Sequence, residues 1–196
     1  IVGPRAHKPF YFRGDAISRC AQACHRAGAG DVVVDNSLHA RLAQAGVSLR
    51  PAKASYQYLL GLSSRPAPPA QTTPRPAPAA LGTQFFDPAL WRRPQQGEFR
   101  HVTTLFVAFR GFDDYETLNR FISETLVVAN RFGGFFVEID FGDKGSFFLV
   151  YFGAPVAHED DPGRALDFMQ ALAAHCRSRA IPYRAGAASG PVYAGY

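Results

Sequence analysis

The sequence is poor in cysteine and in long apolar runs. Its 196 residues include three cysteines, an odd number that is too small for a framework of disulfides. The longest unbroken apolar run covers residues 147–152, whereas a membrane-spanning helix needs about 20 residues. No charged and then apolar leader with a small-residue cleavage site opens the chain. These absences predict a cytoplasmic protein that does not bind a membrane.

An initiator methionine is also lacking. The chain opens at Ile1 and stops at Tyr196, at both ends within sequence that reads as the middle of a domain, so we expect a fragment of a longer protein. The apolar fraction of 47% and the charged fraction of 19% are typical of a globular chain. The length of 196 residues suffices for one ordinary domain or two small ones.

Two of the cysteines are close together in the sequence. Cys20 and Cys24 lie one helical turn apart beside His25, a spacing that would suit two ligands of a metal ion. A structural zinc site needs about four ligands, and the sequence has no second pair at a suitable spacing. Reduced thiols on a packed helix are therefore the favoured interpretation, and they agree with a reducing cytoplasm.

The net charge of +5 is unevenly distributed along the chain. Residues 1–100 carry 13 Lys and Arg against 5 Asp and Glu, and residues 101–196 carry 8 against 11. The basic residues of the first half are scattered singly and are nearly all arginine, without an aromatic stripe that would stack on bases. We therefore expect the two halves to attract one another, and we expect no nucleic-acid partner.

A proline-rich segment divides the chain. Residues 65–80 contain six prolines and five alanines and show no apolar periodicity. Such a segment is predicted to be an extended, semi-rigid linker that makes few packed contacts. The sequence thus predicts a first partial domain at residues 1–64, a linker at 65–98 and a second partial domain at 99–196.

The second partial domain alternates strand-like and helix-like segments. Asp113 and Glu116 resemble a capping box, and Leu166, Met169, Leu172 and Cys176 are predicted to be the buried face of the last helix. The predicted elements are a central strand at 102–109, a helix at 113–132, strands at 135–141 and 147–152, a helix at 162–179 opened by Asp161, and a strand at 182–188 that turns at Ser189 and Gly190 into another. This order predicts an α+β, ferredoxin-like βαββαβ antiparallel sheet with both helices on one face.

The first partial domain is shorter and looks like the back half of an α/β domain. Its predicted elements are strands at 9–13, 31–34 and 55–62 and helices at 15–27 and 37–43.

Five motifs of the second partial domain resemble, in order, those of the class III adenylate and guanylate cyclases. Residues 105–112 (LFVAFRGF) fall on the opening apolar-Phe-x-Asp-x-x-Gly-Phe signature of that family. The other matches are Gly133-Gly134, Gly142-Asp143, Phe152-Gly153-Ala154-Pro155, an acidic helix start at Asp160-Asp161 before Arg164-Ala165, and the Gly-x-x-x-Gly of residues 186–190. The resemblance covers residues 99–196 and implies the catalytic-domain fold of that family.

The first partial domain matches the far end of the same domain. Residues 12–17 (FRGDAI) resemble the helix start Gly-Asp-x-Val-Asn-x-x-x-Arg, and residues 30–34 (GDVVV) resemble the strand that follows it in the family. The chain would then hold two partial copies of the cyclase fold. This tandem arrangement, with an Asp-Lys-Gly turn at residues 143–145, is similar to the soluble bicarbonate-responsive adenylate cyclases and their bacterial relatives.

The resemblance implies a reaction. In the family, a nucleoside triphosphate cyclises when its ribose 3′-hydroxyl attacks the α-phosphate and pyrophosphate leaves. Two Mg²⁺ or Mn²⁺ ions held by two Asp carboxylates promote this step, while an Asn and an Arg of a paired domain orient the ribose and stabilise the transition state. The implied partners of the intact protein are thus ATP, or GTP, and a second cyclase domain within the chain.

This sequence departs from the family at the positions that carry the chemistry. The two metal positions hold Ala108, which has no ligand atom, and Asp143, which lies in a turn where Asp is common anyway. The Asn and Arg positions hold Ser18 and Gln22. We therefore expect no catalytic residue and no bound metal in this fragment, with Asp143 as its single metal candidate.

Two further residues near these positions have alternative interpretations. Glu138 lies near the position that reads the base in the family, and Arg19 is favoured as a solvated or interface arginine over a phosphate ligand. Two functions stay open. The intact protein is a cyclase that makes cyclic AMP in intracellular signalling and this span is its degenerate half, or the span is a non-catalytic cyclase-homology module for regulation or dimerisation.

Overall fold

The computed structural model describes residues 8–52, 55–62, 85, 97–142 and 145–194. The chain divides into two compact units, a smaller unit at Phe12–Pro76 and a larger unit made of Ile1–Tyr11 and Ala77–Tyr196. The predicted linker at residues 65–98 lies almost entirely outside the described residues, and the few packed contacts expected of its proline-rich part at 65–80 stay a prediction. Within the described ranges, neither unit has a helix with the length and apolarity needed to cross a bilayer.

The smaller unit contains a three-stranded antiparallel sheet and two α-helices. Strand β3 lies in the middle and pairs with β1 on one side and β2 on the other. Its elements are α1 (Asp15–Arg26), β1 (Val33–Asp35), a 3₁₀ helix (Asn36–Leu38), α2 (His39–Gln44), β2 (Val47–Pro51) and β3 (Tyr56–Leu62). The predicted helices at 15–27 and 37–43 and the strands at 31–34 and 55–62 are confirmed to within two residues.

The predicted strand at residues 9–13 is wrong. Residues 8–13 form no strand, and the predicted segment begins with Pro9, which is buried and has no N–H to donate. The Tyr11 ring instead packs against the core of the larger unit, with its centroid 4.7 Å from that of Phe141. Of the three aromatic side chains that suggested a strand, Tyr11 packs on the core, whereas Phe10 and Phe12 are exposed.

The larger unit confirms the βαββαβ order. Its sheet has the strand order β5-β6-β4-β7, every neighbouring pair is antiparallel, and β4 is an inner strand as predicted. The elements are β4 (Glu98–Phe109), α3 (Tyr115–Arg131), β5 (Phe135–Gly142), β6 (Gly145–Phe152), α4 (Asp161–Ser178) and β7 (Tyr183–Ala194). The unit is thus an α+β fold with a ferredoxin-like antiparallel sheet.

One face of this sheet carries the core. Alternate residues of β4 and β6 are buried there against both helices, because side chains of a strand point to opposite faces in turn. The core includes Leu105, Val107, Phe109, Phe136, Phe148, Val150 and Phe152 from the strands and Leu118, Phe121, Ile122, Leu126, Phe168, Leu172 and Cys176 from the helices. The opposite face, here called the open face, includes Phe106, which is 39% exposed and stacks on Phe147.

The start of α3 differs from its prediction by one residue. The helix is capped by Asp114, not by Asp113, and Asp114 Oδ1 accepts a hydrogen bond of 2.8 Å from the N–H of Thr117. This bond holds the pKa of the Asp114 carboxyl below its usual value. Asp113 and Asp114 both precede the helix, which begins at Tyr115. Asp114 is the cap because its oxygen reaches the N–H of the third helical residue.

The buried face of α4 also differs from its prediction. Leu166 is 58% exposed, whereas Ala165, Phe168, Leu172 and Cys176 are buried. Neighbouring residues of a helix are about 100° apart, so Leu166 points away from the face on which Ala165 lies. Met169 is half-buried at the border of that face, in contact with the core.

The last strand is longer than predicted. The sequence predicts a turn at Ser189 and Gly190, but β7 continues through both residues and pairs with β4 along its whole length. The Ser189 hydroxyl lies 2.7 Å from the Thr103 hydroxyl of β4. The long partner strand keeps these two turn-forming residues in the ladder.

The two helices of the larger unit meet at a histidine. The ring of His175 on α4 stacks on Phe121 of α3, with centroids 5.8 Å apart, and its Nε2 lies 3.3 Å from Glu124 Oε2. Arg179 forms an ion pair with the same Glu124. Burial and the neighbouring Arg179 lower the pKa of His175 below 6.5, against the smaller opposing effect of Glu124.

We expect this histidine to make the larger unit less stable in mild acid. Since the folded state binds the His175 proton less readily than the unfolded state, the free energy of unfolding should fall as the pH drops below about 6.5. The His175→Phe variant keeps a ring that can stack on Phe121 and should lose this part of the pH dependence. Urea denaturation at several values between about pH 7.5 and pH 5 measures the free energy of unfolding of both proteins. If that free energy changes with pH equally in the variant and in the unchanged chain, the assignment to His175 is contradicted.

Candidate functional site

The first predicted metal position lies on the open face near the end of β4. Ala108 is half-buried and stands opposite Phe147 of β6 on one side and Arg184 of β7 on the other. A methyl group has no lone pair to offer a cation, whereas Mg²⁺ and Mn²⁺ prefer carboxylate oxygens. The structure thus has an apolar side chain at the place where the family resemblance requires a metal ligand.

The second predicted metal position, Asp143, lies outside the described residues. The residues on either side of the gap, Gly142 and Gly145, pair with each other and close the β5–β6 hairpin. Ser146 follows and stands opposite Phe109, the last residue of β4. The closed end of the hairpin and the end of β4 therefore lie at the same edge of the sheet, and a metal role of Asp143 stays a prediction.

Glu138, the candidate for reading the base, is exposed on the open face. Strand β5 has a β-bulge here, because Phe136 stands opposite Val150 while Glu138 stands opposite Leu149, the next residue of β6. In an uninterrupted strand Glu138 would share the face of the buried Phe136. The bulge places Glu138 on the same face as Ala108, two strands away, and its role stays a prediction.

The predicted Asn and Arg positions lie one turn apart on α1. Ser18 and Gln22 are both exposed, and Gln22 Oε1 accepts a hydrogen bond of 2.9 Å from the hydroxyl of Tyr56. Tyr56 is buried, and the guanidinium of Arg26 lies 4.3 Å above its ring. Gln22 thus has a structural role within the smaller unit, as a hydrogen-bond acceptor for a buried tyrosine.

Arg19, next to Ser18, has an acidic partner. Its Nε lies 3.3 Å from Asp35 Oδ2 at the end of β1. A hydrogen bond from the Ser37 side chain first, then one of 2.7 Å from the Ser37 N–H to Asp35 Oδ1, and Arg19 as a smaller cause, hold the pKa of Asp35 below its usual value. Arg19 is thus engaged with a carboxylate of its own unit, and its role as a solvated or interface arginine stays a prediction.

The described residues do not fit a two-metal centre. Within the described ranges, no three His, Cys, Asp or Glu side chains are close enough to hold a metal ion. Cys20 and Cys24 are exposed on α1, while Cys176 is buried in the core, where burial raises the pKa of its thiol.

The acidic pair at the start of α4 is structural. Asp160 caps the helix, with its Oδ1 accepting a hydrogen bond of 2.9 Å from the N–H of Gly163. Asp161 is buried, and its Oδ2 accepts a hydrogen bond of 2.9 Å from the backbone N–H of His158, while its Oδ1 lies 3.0 Å from the ring Nδ1 of the same histidine. These contacts occupy both oxygens of Asp161 and fix the loop before α4.

A basic cleft at the end of the sheet was not predicted from the sequence. It has a volume of about 220 Å³ and is lined by Arg110, Arg184 and Ser146 beside Ala108. The sequence does contain a signal, because Arg110 lies within the opening motif and Arg184 lies two residues before Gly186. Only the pairing of β4 with β7 shows that these two arginines are neighbours.

No family model and no curated protein matches the chain. Among solved structures, it is similar to a dimeric guanylyl cyclase domain of the RhoGC fusion protein from the aquatic fungus Blastocladiella emersonii, with 28% identity and a TM-score of 0.44 over 51% of this chain and 62% of that one. It is also similar to the adenylyl cyclase CyaB from P. aeruginosa (20% identity, TM-score 0.38, 51% and 61%) and to the guanylyl cyclase Cya2 (24%, 0.38, 50% and 58%). The chain spans less than two thirds of the length of each of these three structures.

Proposed function

We propose that this chain is part of a class III nucleotide cyclase whose intact form converts ATP to cyclic AMP and pyrophosphate in intracellular signalling. The larger unit is the start of a degenerate, non-catalytic domain, and the smaller unit is the end of the domain with which it pairs. The observation that carries the proposal is the agreement between the order of the five motifs and the elements of one antiparallel βαββαβ unit.

Two of the motifs support this proposal by their position in the sheet, together with the start of β7 beside them. The opening motif spans the end of β4 and the loop after it, the Gly142–Gly145 pair closes the hairpin beside it, and β7 enters the sheet opposite Phe109. These segments meet at one edge of the sheet. A reaction that combines ligands from several segments needs them at a common edge, as they are here.

Two side chains support the degenerate character of the proposed domain pair. Ala108 supplies no oxygen to a cation, and the amide of Gln22 is neutral and bound to Tyr56. An arginine that stabilises the charge of a phosphoryl-type transition state contributes about 10³- to 10⁵-fold to the rate, and a neutral amide at that position would lose most of this. The substitutions thus affect both a metal position and the position of the transition-state arginine.

We expect the 196-residue chain alone to form no cyclic nucleotide. The assay supplies ATP or GTP with Mg²⁺ or Mn²⁺ and detects cyclic nucleotide by chromatography, with the Asp143→Ala variant as the control. The chain and the variant should be equal to the protein-free background. A product that forms above this background and disappears in Asp143→Ala would contradict the proposed degeneracy.

The complete product of the gene tests the catalytic half of the proposal. If the intact protein is a cyclase, it should convert ATP to cyclic AMP with Mn²⁺ or Mg²⁺, while Ser18→Ala should leave the rate within about twofold because that position is degenerate. A complete product that converts neither ATP nor GTP would exclude the enzyme and favour the second candidate function.

The second candidate is a cyclase-homology module without catalysis, used for regulation or dimerisation. Two observations favour it specifically. Gln22 is committed to a hydrogen bond with Tyr56, and the open face has exposed apolar side chains such as Phe106. In both candidate functions we propose a cytoplasmic protein with pairing of cyclase domains and no nucleic-acid or membrane partner.

A further inference from the structure

We propose that α1 of the smaller unit binds a soft monovalent metal ion, Cu⁺, between the thiolates of Cys20 and Cys24. On binding, the two thiols release their protons to water and two copper–sulfur bonds form, while no electron is transferred. The site uses none of the residues discussed for the cyclase reaction. It is also unrelated to the Mg²⁺ or Mn²⁺ of the family resemblance, so it does not depend on the proposed function.

The helix places the two sulfur atoms side by side. Cys20 and Cys24 both belong to α1, which runs without interruption from Asp15 to Arg26. Residues four apart in an α-helix lie on one face, with Cβ atoms about 5–6 Å apart. A metal ion between two thiolates, at a metal–sulfur distance of about 2.3 Å, needs sulfur atoms about 4.6 Å apart. Two thiols in this arrangement reach that separation by rotation of their side chains alone.

Three contacts hold the opposite side of α1 against its own unit. The Nε of Arg19 lies 3.3 Å from Asp35 Oδ2, Gln22 accepts the hydrogen bond from the Tyr56 hydroxyl, and the guanidinium of Arg26 lies 4.3 Å above the Tyr56 ring. At about 100° per residue, these three helix positions lie on the side away from the two cysteines. Both thiols are accordingly exposed, whereas the sequence favours thiols on a packed helix.

The number of ligands selects the metal ion. A structural zinc ion needs about four ligands, and the described residues hold no group of three or more His, Cys, Asp or Glu side chains placed to share one ion. Two thiolates alone provide the linear geometry that Cu⁺ accepts, and thiolate sulfur is the donor that this soft ion prefers. The shortage of ligands that argues against zinc in the sequence therefore does not argue against Cu⁺.

The third cysteine does not contribute to this site. Cys176 is buried in the core of the larger unit, where burial raises the pKa of its thiol. A cysteine binds a metal ion as the thiolate, so a thiol that keeps its proton and has no access to solvent is a poor ligand. We therefore expect one Cu⁺ for each chain, and Cys176 provides a control that leaves the site intact.

Competition with a chelator of Cu⁺ tests the proposal. The whole chain is titrated with Cu⁺ under anaerobic, reducing conditions in the presence of bicinchoninate, whose coloured complex measures the copper that the protein does not hold. Cys20→Ser and Cys24→Ser should each bind Cu⁺ about 100-fold more weakly or worse, because each variant loses one of two linked ligands. Cys176→Ala should bind Cu⁺ as tightly as the unchanged chain.

A relocated thiol tests the spacing independently of the number of thiols. The double variant Cys24→Ser, His25→Cys keeps two thiols in α1 but places them five residues apart, about 140° around the helix axis. It should bind Cu⁺ no more tightly than Cys24→Ser does. Far-UV circular dichroism verifies that each variant is folded.

X-ray absorption at the copper edge identifies the ligands directly. We expect two sulfur neighbours for each Cu⁺, and sedimentation of the loaded protein should show one chain for each ion. Equal retention of Cu⁺ by the unchanged chain and the two serine variants would overturn the proposal, as would two chains that share one ion, or tight binding by the relocated pair. None of these outcomes bears on cyclase activity.

Discussion

Replacing Phe109 with alanine is expected to lower the free energy of unfolding of the larger unit by about 3–5 kcal/mol. Phe109 is 1% exposed at the end of β4, at the centre of an aromatic cluster. Its ring centroid lies 5.3 Å from that of Phe121, 5.6 Å from Phe112, 5.9 Å from Phe148 and 6.1 Å from Phe141. The substitution removes a large apolar side chain from water-free surroundings and leaves a cavity that neighbours on two strands and one helix cannot all fill.

Phe99 provides the matched control on the same strand. It is 78% exposed, and its ring meets Tyr193 at 5.4 Å between centroids. Phe99→Ala should cost about 1 kcal/mol or less, because the side chain is already largely in water. Urea denaturation followed by far-UV circular dichroism measures both variants. Equal losses in the two would show that the aromatic cluster does not support the unit.

Gly153→Ala is expected to lower the free energy of unfolding of the larger unit by about 2–4 kcal/mol. Gly153 follows β6 with a φ of +103°, a conformation that residues with a side chain rarely adopt. A Cβ atom at this position would lie 2.6 Å from the carbonyl oxygen of His101 and 3.3 Å from Asp161 Oδ2. The nearer atom belongs to the backbone of β4, so the strand itself would have to move.

Gly111 separates the two causes of this loss. Its φ is +89°, but a Cβ atom there would come no closer than 3.7 Å to its nearest described neighbour, Pro182 Cδ. Gly111→Ala should therefore cost only the conformational part, about 1–2 kcal/mol. The difference between the urea midpoints of Gly153→Ala and Gly111→Ala measures the cost of the contact between the added Cβ atom and the backbone of β4. A Gly111 variant as unstable as the Gly153 variant would assign the whole effect to the backbone angle.

The order of the elements in the larger unit could be predicted from the sequence, whereas several details could not. The alternation of buried residues in β4 and the helical spacing of Leu118, Ile122 and Leu126 are local patterns that burial on one face requires. The continuation of β7 through Ser189 and Gly190 depends instead on the length of its partner β4. A propensity for turns is weak compared with the hydrogen bonds of a twelve-residue ladder.

The candidate site shows the same division. The substitution at Ala108 can be read directly from the sequence, because the residue type alone excludes metal ligation. The proximity of Arg110 and Arg184 could not be read from the sequence, because it arises from the register of two strands that are more than seventy residues apart. The hydrogen bond between Gln22 and Tyr56 is likewise a contact between distant segments. Chemistry that depends on residue type was predictable, and chemistry that depends on pairing was not.

The bulge in β5 has a consequence for how this strand tolerates changes of length. Val137 is the extra residue between Phe136 and Glu138, so its deletion would leave Ile139 and Phe141 facing the core and Asp140 facing away from it. A deletion of one residue within 138–141 would instead reverse the face of the residues on one side of it. We expect related chains that are one residue shorter in this strand to lack Val137 and to keep the same pattern of buried residues.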